Sequence, residues 1–291
     1  MRIDLNSLEI NYSYAEKRII DFIKEYVDKS NVNGFVIGLS GGIDSTLTVH
    51  LLEKAVGSGK ILALILPTYF TPKEDVEDAK NIAEKLGIKY TLINISEIFN
   101  SYRNTIPYFD EKDKISNGNL YARIRMNILY YTANKMNYLV AGTGDKSELL
   151  IGYFTKYGDG GCDILPIGDL YKTQVRKMAK YLRVPEKIVL KPSSPRLWPG
   201  QEAEKELNIT YSEIDLILYC FFDKRMSVKD IVNATGISKE KVKLVLERVY
   251  KSAHKRRLPP IPRISGRTIG IDINFPLNYK IDLSSLNDKT D

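Results

Sequence analysis

Cysteine and histidine are nearly missing, with two of each in 291 residues. Cys162 and Cys220 lie far apart, so neither a disulfide framework nor a CxxC metal site can be built. With only His50 and His254, a histidine metal cluster is excluded and a Ser-His-Asp triad is poorly supplied. His50, set among Leu47, Val49 and Leu51, reads as a packed helix residue. Long apolar runs are absent too: none approaches the roughly 20 residues that span a bilayer. The opening "MRIDLNSLEINYSYAEK" lacks the apolar segment of a secretory signal. A cytoplasmic location without a membrane partner is therefore expected. No internal repeat or low-complexity segment occurs. Catalysis is left to carboxylates, lysines and bound metal.

Charge of one sign is in excess. The net charge of +7 favours a polyanionic partner, which nucleotides satisfy as well as nucleic acid does. Much of it gathers in "KSAHKRRLPPIPRISGR" (251–267). At 43% hydrophobic and 27% charged, the chain has the composition of a globular protein.

Helical and strand periods alternate along the chain. Residues 12–28 carry a helical stripe, and "GFVIGL" (34–39) reads as a buried strand. A helix over 44–57, a strand over 60–67 and a helix to Leu86 follow, the last capped by Thr71 with Pro72 in its first position. "IKYTLINI" (88–95) is the third strand, and a helix from about 119 to 136 leads into a fourth at 137–144. This order predicts an α/β fold, a doubly wound parallel sheet with helices on both faces, plus a C-terminal helical segment and an extended tail. Residues 1–258 read as one domain, including C-terminal helices at 211–256, and 259–291 as an arm. The stretches 103–118 and 190–207 read as mobile, the second as a lid.

Ligands of such sheets bind at the carboxyl ends of the strands, where "GLSGGIDS" (38–45) and "GTGDKSE" (142–148) both begin. The second does not complete GxGxxG, and no lysine follows the first in the GxxxxGK[ST] pattern. Gly41 and Gly42 allow consecutive amides to face one concavity, and the helix starting near Asp44 adds its N-terminal N–H groups. An anion belongs there. Ser40 and Ser45 can donate to phosphate oxygens, whereas Asp44 would repel them unless a divalent cation, magnesium, stood between.

"SGGIDS" resembles the pyrophosphate loop of the ATP pyrophosphatase superfamily, with its adenine-nucleotide alpha-hydrolase-like fold. Within it, "LYARIRMNILYY" (120–131), "AGTGDKSELLIGYFTKYGDGGCDILPIGDLYKTQV" (141–175) and "SAHKRRLPP" (252–260) are similar to the NAD synthetases of the ammonia-dependent type. That resemblance implies ATP-dependent amidation of deamido-NAD through an acyl-adenylate, with AMP and pyrophosphate released. ATP would contact Gly38, Leu39, Ser40, Gly41, Gly42, Ile43, Asp44 and Ser45, and further Thr143, Lys172 and Ser194. Asp44 and Glu148 would ligate magnesium. Deamido-NAD would contact Arg123, Lys156, Asp163, His254 and Lys255, with Arg123 preferred over Arg125 on motif alignment alone. Asp159 would position ammonia, and Asp44, Asp159 and Lys172 carry the catalytic roles.

The likeness also implies a homodimer with the dinucleotide at the subunit interface. It leaves no stretch for an appended glutaminase, so free ammonia is the expected donor. The lid departs from the family pattern, reading "SSPRLWPGQEAE", with Pro195, Arg196 and Ala203 replacing a small residue and two acids. Two other readings compete: another ATP pyrophosphatase, tRNA-modifying or GMP synthetase-like, and a helix-turn-helix module at 226–257. The resemblance favours no nucleic-acid partner.

Overall fold

The computed structural model describes residues 2–269, 272 and 273. In chain order the elements are α1 (Tyr12–Ser30), β1 (Gly34–Gly38), α2 (Ile43–Val56), β2 (Ile61–Ile65), α3 (Lys73–Lys85), β3 (Lys89–Leu92), α4 (Ser96–Thr105), α5 (Lys114–Met136), β4 (Tyr138–Ala141), α6 (Lys146–Ile151), α7 (Lys172–Tyr181), α8 (Glu186–Val189), α9 (Ala203–Leu207), α10 (Tyr211–Leu218), α11 (Val228–Thr235) and α12 (Lys239–Lys251). The strands form one parallel sheet in the order β3-β2-β1-β4.

Side chains alternate across a strand, so a sheet covered on both faces must be apolar at successive positions. Phe35 and Ile37 of β1 enter a core shared with α1, α2, α3 and α7, while Val36 between them enters a second core with Phe99, Tyr121 and Ile124 of α4 and α5. The doubly wound expectation holds. A third core joins α10, α11 and α12 to Ile3 and Leu8 near the N-terminus and to Ile151 and Tyr171.

Several boundaries differ from the expectation. Each strand stops sooner: glycine turns take over after β1 and β4, and Pro67 and Asn94 lie just past β2 and β3. Pro72 rather than Thr71 is the N-cap of α3, since the Thr71 hydroxyl accepts the Thr68 amide at 2.9 Å. α5 begins at Lys114, inside the stretch read as mobile, because Asp113 caps it by accepting the amides of Ile115 and Ser116. His50 is packed as expected, 7% exposed, with Nδ1 2.7 Å from Thr46 O. Of the expected C-terminal arm, residues 270, 271 and 274–291 lie outside the described residues. No helix among the described residues is long and apolar enough to cross a membrane.

Candidate active site

β1 ends in Gly38, and the chain turns through Ser40, Gly41 and Gly42 into α2. Gly41 adopts φ 76°, and a Cβ there would stand 2.1 Å from Asp75 O, so both conformation and space demand glycine. Gly42 caps α2 without a side chain, and the Ser45 hydroxyl ties the turn by accepting the Ser40 amide at 3.2 Å and lying 3.0 Å from Ser40 Oγ. The amides of Ile43, Asp44 and Ser45 take no partner among the described residues, as the first turn of a helix leaves them. These donors and the helix's positive end make an anion seat.

The second turn follows β4. Asp145 caps α6 by accepting the Glu148 amide at 2.8 Å, and Glu148 reaches back to the Asp145 amide at 3.4 Å. This box holds both carboxylates toward the centre. Lys172, at the start of α7, is fully buried, and its Nζ lies 2.8 Å from Asp44 Oδ1, Asp145 Oδ2 and Glu148 Oε1. Burial alone would lower its pKa, but Asp145, Asp44 and Glu148 outweigh that and hold the ammonium well above its ordinary range. Burial and the neighbouring Asp145 push Glu148 well upward, against the pull of Lys172. Three carboxyls around one ammonium want another cation.

Lys172 is seated from behind. Its amide donates to Ser147 Oγ at 2.9 Å, and Asp215 of α10, with no exposure, accepts Ser147 Oγ–H at 2.5 Å and the Thr173 amide at 2.8 Å. Burial raises the Asp215 carboxyl to about 7.

A cavity of about 250 Å³ opens beside the first turn, lined by Gly38–Ser40, Gly42–Asp44, Leu64–Pro67, Thr143, Arg125, Asp159 and the segment 191–197. Asp159 accepts the Thr155 amide at 2.8 Å. The residue faces the open cavity, yet its carboxyl is ringed by protein, and this crowding pushes its pKa upward. Cys162 also lines the cavity, its thiol pushed up by burial to about 12, which removes it as a nucleophile. Ser194 Oγ donates to Gln201 O at 2.5 Å and accepts the Arg196 amide at 3.2 Å, closing the lid segment on itself.

The lid is docked. Lys191 Nζ reaches Asp75 Oδ1 at 2.7 Å, Asp78 Oδ2 at 2.6 Å and Gly41 O at 3.3 Å, while Arg196 Nε meets Asp75 Oδ2 at 2.9 Å. Leu197 and Trp198 press on Gly118 of α5.

The remaining expected residues lie outside this cavity. Arg123 is exposed and donates to Lys156 O at 3.3 Å. Asp163 accepts the Val140 amide at 2.7 Å and the Tyr130 hydroxyl at 3.0 Å. His254 and Lys255 line a separate open depression with Arg248 and Lys251, and Lys255 Nζ donates to Gly152 O and Phe154 O at 2.8 and 2.6 Å. Arg256, basic enough to suggest a phosphate contact, donates instead to the carbonyls of Leu149, Leu150 and Val249.

Sequence reasoning missed Asp145, Asp75 and Lys191. The Asp145 and Glu148 spacing is a capping-box signature and marks Asp145, whereas first-turn Asp75 carries no local signal.

Among the described residues, no group of three His, Cys, Asp or Glu side chains has the geometry of a complete metal cage. Magnesium needs none, since it is held by one or two carboxylates together with phosphate oxygens and water. Asp44 and Glu148, 22% and 19% exposed, are hard oxygen donors open to such a shared site, so this donor set fits the ion.

An open parallel sheet with a glycine-serine turn at its first strand and an acid-lysine cluster beside it defines an enzyme of the ATP pyrophosphatase class. The chain belongs to the NAD synthase family, whose profile matches residues 15–259. The NH(3)-dependent NAD(+) synthetase of Hyperthermus butylicus is 56% identical over 90% of this chain and 95% of its own length. Among solved structures, the NH3-dependent NAD synthetase of Campylobacter jejuni aligns at TM-score 0.74 and 32% identity, over 88% of this chain and all of that one. An NMN synthetase from Francisella tularensis aligns at TM-score 0.77 and 33% identity over the same shares.

Proposed function

We infer that this chain converts deamido-NAD to NAD, spending ATP and taking nitrogen from ammonia, with AMP and pyrophosphate as the other products. The observation that carries the reading is the meeting of Asp44 from one strand-end turn with Asp145 and Glu148 from the other around Lys172.

In this reading Gly38–Ser45 hold the β- and γ-phosphates, with Thr143 and Ser194 as further ATP contacts. Asp44 and Glu148 would hold magnesium, which when bound screens phosphate from carboxylate and offsets charge on the departing pyrophosphate. Lys172 neutralises charge gathering at the α-phosphorus as the nicotinate carboxylate attacks it. Ammonium must then lose a proton before its nitrogen can attack the acyl carbon and expel AMP. Asp159, which faces the cavity and whose pKa is raised by the protein around it, is suited to accept that proton.

The deamido-NAD contacts are proposed across a dimer. Arg123, Lys156, Asp163, His254 and Lys255 would then be brought to the dinucleotide by a second copy. Tyr131, 76% exposed on α5, is a candidate side chain for such an interface. A cytoplasmic location goes with this reading.

The test supplies ATP, magnesium and ammonium with either deamido-NAD or nicotinate mononucleotide, and separately replaces ammonium by glutamine. NAD and AMP are expected from deamido-NAD with ammonium. ADP as the nucleotide product, or no NAD, rejects the reading. Preference for the mononucleotide would shift the substrate toward that of the Francisella tularensis neighbour.

A further inference from the structure

Three cationic side chains line the cavity: Arg125, Lys191 and Arg196. Two are already matched, Lys191 with Asp75 and Asp78, and Arg196 with Asp75. Arg125 is different. Its Nε donates to Leu66 O at 3.1 Å, and no carboxylate lies within ion-pair distance among the described residues. Both Nη groups take no partner there.

The helix carrying Arg125 fixes its direction. Residues four apart share a helix face, and Leu129, one turn on, lies 3.6 Å from where a Gly38 Cβ would stand. Ala122, Arg125, Met126 and Leu129 all line the cavity, whereas Arg123 faces outward. Leu66 follows the end of β2, so its carbonyl anchors the guanidinium above the sheet's carboxyl edge, beside the phosphate turn. Crowding pushes the Arg125 pKa down to about 10, opposed by Asp159 and Tyr121, and the group stays charged at neutral pH. A half-buried guanidinium whose fork opens into a cavity without an anion is a ready donor pair, and its planar fork matches two oxygens of a carboxylate or phosphate.

We propose that Arg125 binds an anionic oxygen of the reacting pair, either the α-phosphoryl group of ATP or the carboxylate it activates, through its two Nη groups. This rests on reading the cavity as the nucleotide site, and it gives the reaction a cation on the side of Asp159, apart from Lys172. The fork pins the anion that must face ammonia. Arg123 cannot share this duty, since its side chain leaves the opposite face of α5.

The experiment compares Arg125→Gln and Arg125→Lys with the unmodified chain, using melting curves to confirm folding. MgATP affinity is read by calorimetry without deamido-NAD, and KM for deamido-NAD and kcat by NAD formation. Arg125→Gln should weaken one of these by about 10- to 100-fold, the range of a charged hydrogen bond, with partial recovery in Arg125→Lys. A fall in ATP affinity assigns the α-phosphoryl group. A rise in KM for deamido-NAD or a drop in kcat, with ATP affinity unchanged, assigns the carboxylate. Values within twofold of the unmodified chain in a folded Arg125→Gln protein overturn the proposal. Should that variant not fold, the same criterion applies to Arg125→Lys, which cannot reproduce the fork. If the unmodified chain makes no NAD, the functional reading fails instead, and the ATP titration still tests Arg125.

Discussion

Arg196 Nε sits 2.9 Å from Asp75 Oδ2, tying the irregular segment after α8 to the first turn of α3. Asp75 is 5% exposed and also receives Lys191, whose ammonium touches Gly41 O. Asp75 thus fastens the segment expected to be a lid beside the turn proposed to seat phosphate. Asp75→Asn should leave Arg196 without its counter-charge and Lys191 with Asp78 alone, costing about 1–3 kcal/mol. We expect a lower melting temperature and weaker MgATP binding, with KM for deamido-NAD little changed. Equal loss for both substrates would count against a lid role.

The two proposed steps should separate by mutation. Asp44→Ala should abolish adenylation, read as ATP-pyrophosphate exchange in the presence of deamido-NAD. Asp159→Ala should leave that exchange measurable and slow NAD formation by about 10²- to 10⁴-fold, the range for a lost general base. If both variants retain both activities, the assigned roles are wrong.

Asp215 gives stability a pH dependence of unusual sign. Burial raises this acid to about 7 in the folded chain, so the native state binds the extra proton. Its unfolded carboxyl titrates near 4, roughly. Its contribution is therefore most favourable below that value and is lost as pH climbs from about 4 to about 7. Asp215→Asn should flatten the pH dependence of melting across this window, though it also weakens the bonds from Ser147 and Thr173. An unchanged profile would show that Asp215 is ionised throughout.

Adjacent glycines carry unequal duties. Gly41→Ala must move the Asp75 carbonyl and hold alanine at φ 76°, whereas a Cβ on Gly42 meets only Ser40 Oγ at 3.3 Å. We expect Gly41→Ala to cost at least about 1–3 kcal/mol and to lose ATP binding, and Gly42→Ala to cost less. Melting and calorimetry on the pair check the order.

Much of this was legible in the chain. Short continuous apolar runs set out the parallel strands, since a strand covered on both faces is apolar at successive positions. "SGGIDS" and "GTGDKSE" announced a site because strand-end glycines are unfavourable without a close neighbour. Helix starts were less legible: Asp113 opens α5 through its own side-chain bonds, which outweigh the polar composition around it. Arg125 and Asp75 stayed hidden because their meaning lies in partners remote in the sequence, Leu66 and the lid cations. Periodicity placed Arg125 and Arg123 on different faces but left open which one turned inward.

The wide sequence separation within the Lys172 cluster bears on how the chain is made. A ribosome that has released only the first 150 residues has delivered Asp44, Asp145 and Glu148 but not the ammonium they enclose, and Asp215 emerges later still. All four strands of the sheet, the last ending at Ala141, are thus made before the cation that balances the carboxylates at their ends.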